Sequence, residues 1–276
     1  MSESGTLTVV GIGPGAPEQM TIAARDAVAA ADVVVGYATY LDLLGPLLAG
    51  KERVPGRMTG EIPRAKDAVD RARRGARVAL VSSGDAGIYG MASLALEVLR
   101  DVGWRRGDPP RVVVVPGVTA LSAAASLAGA PLGHDFCAIS LSDLLTPWLV
   151  IARRLEAAAA GDFVVALYNP ASTRRRRALE EARAILLRHR PAATPVALVT
   201  DAYRRGERCT VTDLDHLREE EVGMTTTVLV GSSQSFAFEG LLVTPRGYSD
   251  KYGWDGRPRP GDRAGAPIAR GAGGEP

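Results

Sequence analysis

Cysteine is scarce: the 276-residue chain holds two, Cys137 and Cys209, in no CxxC or other metal-ligand spacing. That excludes a disulfide framework and argues for a reduced, intracellular setting. Charge of one sign is not in excess, with 33 basic against 31 acidic side chains and a formal net charge of +2. A dedicated nucleic-acid binder would carry a basic surplus or stripe, so nucleic acid is not an expected partner. No apolar run reaches the length of a membrane span, and the first eight residues lack the basic start and apolar stretch of a signal peptide. The expectation is a cytoplasmic protein without a membrane partner. Also missing are the lysine of a P-loop, a GxSxG elbow, an HExxH pair and a cysteine matched to a catalytic histidine. Triphosphate hydrolysis, acyl-transfer hydrolysis and metal chemistry are therefore not expected, and no metal site is assigned.

Lysine appears only at Lys51, Lys66 and Lys251, and arginine supplies the remaining cations. This bias fits a GC-rich genome, and it also fits a substrate with many carboxylates, which arginine forks hold well. The length suits one large domain or two modest ones. At 46% apolar residues the chain can bury a substantial core. In the first half, strand-like runs at 6–10, 33–35, 78–81 and 112–115 alternate with helical stretches at 21–31, 62–74, 91–99 and 120–127. Thr21, Asp85 and Thr119 stand as N-caps, and Gly75 as a C-cap. Continuous apolar strands alternating with helices predict an α/β unit with a mostly parallel sheet. Pro131 and Gly133 mark a hinge. Beyond it, strands are expected at 136–140, 162–168, 195–200, 209–213, 226–230 and 241–244, with helices at 172–189 and 214–221. Hairpin-like spacing there suggests a mixed sheet. The expected division is 1–133, 134–248 and a tail at 249–276 without fixed structure, since glycine, proline and arginine dominate from residue 255.

Three glycine-bearing turns follow strands. Gly11-Ile12-Gly13-Pro14-Gly15 resembles a dinucleotide fingerprint only loosely. Pro14 offers no N–H to a pyrophosphate, and Asp32 precedes the second strand rather than ending it. The turn at 82–90 carries Asp85 at its tip, either as a simple helix cap or as a ligand contact at the carboxyl edge of the sheet. Pro116-Gly117-Val118-Thr119-Ala120 is the third. Two such turns on neighbouring strands favour a shared pocket. His134 and Asp135 adjoin the hinge, where a lone histidine is either structural or catalytic. Trp148 reads as a packing residue, and the run 174–177 as a solvated helix face or a carboxylate contact.

Together these residues resemble the tetrapyrrole methylases in order and spacing: the Gly11–Gly15 turn, Gly84-Asp85, Pro116-Gly117-Val118-Thr119-Ala120 and Leu167-Tyr168-Asn169-Pro170. The block from His134 to Trp148, with Ser83–Met91 and Thr244-Pro245-Arg246-Gly247-Tyr248, is similar to the ring-contracting, C-17-methylating branch. The resemblance spans residues 7–248. It implies two α/β domains of the tetrapyrrole methylase type with the active site in the cleft between them, in a homodimer. S-adenosyl-L-methionine would be the methyl donor and precorrin-3B the tetrapyrrole substrate, methylated at C-17 with loss of C-20 as an acetyl group. By motif position the cofactor would touch Pro14, Gly84, Asp85, Ile88, Thr119, Ala120, Tyr168, Ala202 and Thr226, the last two on looser matches. The family-specific block points to His134 or Asp135 as the catalytic base, with Asp85 as alternative. Arg57, Arg64 and the Arg174 cluster are candidates for substrate carboxylates. Open alternatives are a cobalt-bearing substrate at the same step, another tetrapyrrole methylase, a hydride-transferring enzyme, and a non-catalytic carrier.

Overall fold

The computed structural model describes residues 5–171, 177–218, 222–257 and 259. Strands β1 (Thr6–Gly11), β2 (Val33–Tyr37), β3 (Glu52–Gly56), β4 (Arg77–Ser82) and β5 (Arg111–Val115) form an all-parallel sheet in the order β3-β2-β4-β1-β5. Successive side chains point to opposite faces, and both faces are covered. Leu7, Val9, Val78 and Leu80 pack beneath α3 (Glu61–Arg73) and α4 (Ala92–Asp101). Val10, Val34, Ala79 and Val81 meet α1 (Ile22–Ala30) and α2 (Ala38–Leu44) on the other side. Each fully buried valine or leucine contributes roughly 1.5–3 kcal/mol. Thr21 caps α1, its Oγ1 accepting from the Ala24 amide at 3.0 Å.

The second sheet is mixed. It contains β7 (Phe136–Ser140), β8 (Val164–Tyr168), β9 (Pro195–Thr200), β10 (Arg208–Asp213) and β11 (Thr226–Val230), in the order β10-β9-β11-β8-β7. Only β7 and β8 run parallel. Helices α6 (Trp148–Ala160) and α7 (Arg177–Leu187) cover one face through Ile151, Leu155, Leu179 and Leu186. Trp148 packs, partly buried, against that core. The other face is covered by α5 (Ala120–Ala128), whose Leu121, Ala124, Ala125 and Ala128 meet Ala166, Ala197, Val199 and Leu229. The chain thus leaves the first sheet at the end of β5 and places its next helix on the second. A small sheet of β6 (Gly129–Ala130), β12 (Phe236–Phe238) and β13 (Leu241–Val243) adjoins it.

Several elements differ from expectation. Helices α2 and α6 and strand β3 have no counterpart in the sequence reading. Residues 214–216 form a turn rather than the start of a helix, and 219–221 lie outside the described residues. Residues 249–251, expected in the tail, complete a short helix α8 (Tyr248–Lys251). Among the described residues no helix is long and apolar enough to cross a membrane.

Candidate active site

The order of the parallel sheet sets β4, β1 and β5 side by side, so the three glycine turns meet at one carboxyl edge. Gly13 and Gly84 exchange backbone hydrogen bonds, Gly13 N–H to Gly84 O at 3.1 Å and Gly84 N–H to Gly13 O at 2.7 Å. Gly84 holds φ +66°, a left-handed conformation that favours glycine. Asp85 does not cap α4, which begins seven residues later with Met91 as its N-cap. Its carboxylate instead accepts from Gly87 N–H at 2.7 Å and Gly117 N–H at 2.9 Å, tying the second turn to the third.

The second sheet supplies the opposite wall. The carboxyl ends of β8 and β9 and the amino end of β11 share one edge, as the antiparallel register of Thr226 with Thr200 requires. Tyr168 leaves the end of β8 and reaches α5. Its phenol accepts from Leu121 N–H at 2.9 Å and pairs with Thr119 Oγ1 at 2.8 Å. Thr119 is the N-cap residue of α5, yet its hydroxyl makes no capping bond. The phenol takes over that role. Arg204 crosses the other way, its Nε donating to Pro14 O and a terminal nitrogen to Ser83 Oγ at 2.6 Å. Tyr89 donates to Ala138 O at 3.0 Å and rests on the Tyr168 ring with centroids 5.0 Å apart. Burial raises the phenol pKa of Tyr40, Tyr89 and Tyr168, and hydrogen bonds from Thr119 and Leu121 oppose the shift at Tyr168. All three stay protonated and able to donate at neutral pH.

Between these walls lies a cleft of about 420 Å³, within the size range of small-molecule sites. Four of the chain's seven tyrosines line it, Tyr37, Tyr40, Tyr89 and Tyr168, together with the carboxylates Asp85 and Asp201. Aromatic faces and carboxylates suit a ligand carrying positive charge. Three lining residues, Tyr89, Asn169 and Asp201, hold φ of 54°, 52° and 51°. Non-glycine residues in that region cost of order 1–3 kcal/mol each and gather where surrounding structure enforces them.

All nine residues expected at the cofactor, Pro14, Gly84, Asp85, Ile88, Thr119, Ala120, Tyr168, Ala202 and Thr226, line this one cleft. His134 and Asp135 do not. They precede β7, whose carboxyl end Ser140 is the one beside Tyr168. Five strand residues at about 3.3 Å each set them roughly 16 Å from that end. Their side chains are 55% and 76% exposed, and they answer one another, the Asp135 amide donating to His134 Nδ1 at 2.8 Å. Arg64 is buried, donating to Arg57 O at 3.2 Å with Glu61 at 3.6 Å, and does not line the cleft. Arg174, Arg175 and Arg176 lie outside the described residues. Asp32 sits at the amino edge of β2 in an exposed pair with Arg77, on the side away from the glycine turn, where no nucleotide ribose could use it. Sequence reasoning missed Tyr37, Tyr40, Met58, Asn169, Asp201 and Arg204 as lining residues. Asn169 alone had a signal, its place in the Leu167–Pro170 motif.

A family model described as Tetrapyrrole (Corrin/Porphyrin) Methylases matches residues 6–218. The chain belongs to the tetrapyrrole methylase family. Among relatives of this tetrapyrrole methylase, a cobalt-factor III methyltransferase of Priestia megaterium is 49% identical over 248 residues, 90% of this chain. The chain spans 46% of that relative's length. A precorrin-3B C(17)-methyltransferase of a Sinorhizobium species is 44% identical over 251 residues, covering 89% of this chain and 98% of the relative. The solved structure of the methyltransferase CobJ superposes with a TM-score of 0.81 at 36% identity, over 88% of this chain and all of that one. A uroporphyrin-III C-methyl transferase from Thermus thermophilus, solved with S-adenosylhomocysteine, gives 0.61 at 25% identity, covering 82% and 92%. Among the described residues no group of three or more His, Cys, Asp or Glu side chains is placed to hold a metal ion.

Proposed function

We propose that this tetrapyrrole methylase transfers a methyl group from S-adenosyl-L-methionine to C-17 of precorrin-3B and contracts the macrocycle to precorrin-4, a step of cobalamin biosynthesis. The observation that carries the reading is the cleft between the two sheets, where all nine expected residues converge. The names of the two relatives support it. They cover both a metal-free and a cobalt-bearing substrate, so the cobalt complex is the alternative substrate of the same site.

The cleft fits the donor: its glycine turns bring backbone close, Thr119 and Thr226 bring hydroxyls, and carboxylates and rings face a cation. The sulfonium supplies a methyl already activated for transfer, so the chain needs no nucleophile of its own, consistent with the absence of a triad. Its residues align the reactants and exclude water, which supplies several kcal/mol of the barrier. Pro14, Gly84 and Asp85 form one side of the cradle, and Tyr168, Ala202 and Thr226 the other. Ring contraction also needs a base for a substrate hydroxyl and donors for the oxygens formed. The protonated Tyr40 phenol, whose proton no acceptor takes among the described residues, serves as a donor. Both oxygens of Asp85 are occupied by amides, and among the described residues the Asp201 carboxylate takes no hydrogen bond. Asp201 is therefore the cleft carboxylate left for the base. His134→Ala and Asp135→Asn variants are each expected to keep turnover within about twofold, as exposed substitutions away from the chemistry. A hundredfold loss in either would return the base to that pair. A homodimer completes the proposal, each chain built of two units of which the second takes in α5.

The test is calorimetric titration with S-adenosylhomocysteine, alongside NAD and NADP. Micromolar binding of the homocysteine compound alone is expected. Asp85→Ala should weaken it about tenfold or more, because two amides lose their charge-assisted acceptor and the turns part. Binding of a nicotinamide cofactor in its place would reject the methyltransferase reading.

A further inference from the structure

A second cavity, of about 210 Å³, lies beside the cleft. Tyr89 is the one residue that lines both, so its ring is the partition. The far side is built by the segment after β7 and by the first turns of α6, which contributes Arg154. Two of its polar groups, Arg154 and Ser140, have protons to give. Arg154 makes no ion pair among the described residues, and it lies close enough to Tyr89 to favour the ionised phenol. Ser140 Oγ already accepts two hydrogen bonds, from Ser142 N–H at 3.2 Å and from Asn169 Nδ2 at 3.0 Å. A hydroxyl has two acceptor lone pairs and one proton. With both lone pairs engaged, Ser140 can only donate, and no protein acceptor takes its proton among the described residues. A guanidinium and a hydroxyl with nothing left but protons to offer call for an anion, and a carboxylate matches the guanidinium fork. The rest of the wall combines the Ser142 and Thr146 hydroxyls with apolar side chains, among them Leu144 and Leu145, 70% and 92% exposed. A flat apolar ring held in the cleft would cover them.

Resting on the proposed function, the geometry points to this cavity as a subsite for one carboxylate arm of the tetrapyrrole, bound by Arg154 and Ser140. Tyr89 sets the distance from that arm to the methyl donor. Asn169 connects the two compartments, since it lines the cleft and donates to Ser140. The subsite therefore selects which substrate carbon faces the donor.

The test uses uroporphyrin, a tetrapyrrole with eight carboxylates, as a fluorescence-quenching probe, with S-adenosylhomocysteine titrated calorimetrically into the same samples. Arg154→Ala is expected to raise the uroporphyrin Kd about tenfold, the loss of one charge-assisted bond, while S-adenosylhomocysteine affinity stays within twofold. Ser140→Ala raises it less, and Arg154→Lys keeps most of the binding. Arg153→Ala, on the neighbouring position outside the cavity, is unchanged. The wild-type Kd rises with salt more steeply than that of Arg154→Ala. Equal uroporphyrin binding by wild type and Arg154→Ala overturns the subsite alone. Wild-type protein that binds S-adenosylhomocysteine but no tetrapyrrole, or neither, overturns the functional reading and the subsite with it.

Discussion

A Gly117→Ala protein is expected to melt several degrees below wild type and to lose S-adenosylhomocysteine binding by more than tenfold. The reason is backbone crowding at the meeting point of the three turns. A Cβ on Gly117 would lie 2.2 Å from Gly84 O and 2.5 Å from Gly11 O. Both are backbone atoms at strand ends, and neither can swing aside as a flexible side chain would. Gly117 does not hold positive φ, so the cost is steric rather than conformational. Relief requires the turn after β5 to move away from those after β1 and β4, which breaks the 2.9 Å bond from Gly117 N–H to Asp85. Overpacking of this kind costs about 1–3 kcal/mol, with a lost charge-assisted bond adding to it. Each kcal/mol shifts the melting temperature by roughly 2–4 °C in a chain of this size. Gly223→Ala is the control, since nothing lies within 4 Å of a Cβ there and its φ is not positive. Melting curves and calorimetry on the two variants decide the matter. A Gly117→Ala protein as stable and as tight-binding as wild type would show that the three turns are not a single unit.

The same three turns explain which parts of the molecule were legible in sequence. The parallel strands were legible because burial on both faces writes itself as continuous apolar runs, as in Val78 to Val81. Strand β3 was not, since it is an edge strand with mostly exposed side chains and Pro55 within it. Helix α6 starts after Pro147 without a side-chain cap, so no start signal marks it. In sequence Asp85 reads either as a cap or as a ligand contact, because a capping residue and a turn carboxylate ahead of a helix look alike. The turn from Gly87 to Gly90 delays α4 and leaves the carboxylate free for two other amides. His134 and Asp135 stand in the family-specific block, yet the strand sets them roughly 16 Å from the cleft end of β7. The strand that carries their motif into the cleft leaves its first residues at the far edge. The second wall depended on register between β8, β9 and β11, which a sequence motif can name, as with Tyr168, but cannot place. Arg204, Asp201 and Tyr40 carried no local signal at all.

Tyr168→Phe is expected to reduce S-adenosylhomocysteine affinity about tenfold while lowering stability by only about 1 kcal/mol. The two effects separate because the lost hydroxyl serves two partners with different alternatives. Leu121 N–H, donating at 2.9 Å, is one of the amides at the start of α5 that no helical carbonyl can satisfy. When the phenol is gone, Thr119 Oγ1 is released from its 2.8 Å contact and can turn to cap the helix, recovering much of the loss. That turn takes the Thr119 hydroxyl out of the cleft wall and unlinks α5 from β8. Thr119 and Tyr168 can each stand in as the cap, so the double variant Thr119→Ala with Tyr168→Phe should lower stability by more than the sum of the single changes. Additive losses would show that the pair is not coupled. Burial raises the Tyr168 pKa above its ordinary value of 10.0. The group's contribution is therefore complete below about pH 10 and fades only as pH rises through the elevated value. Affinity measured from pH 7 to pH 9 should show no step from this residue. A step that vanished in Tyr168→Phe would mean that the phenol ionises where this structure keeps it neutral.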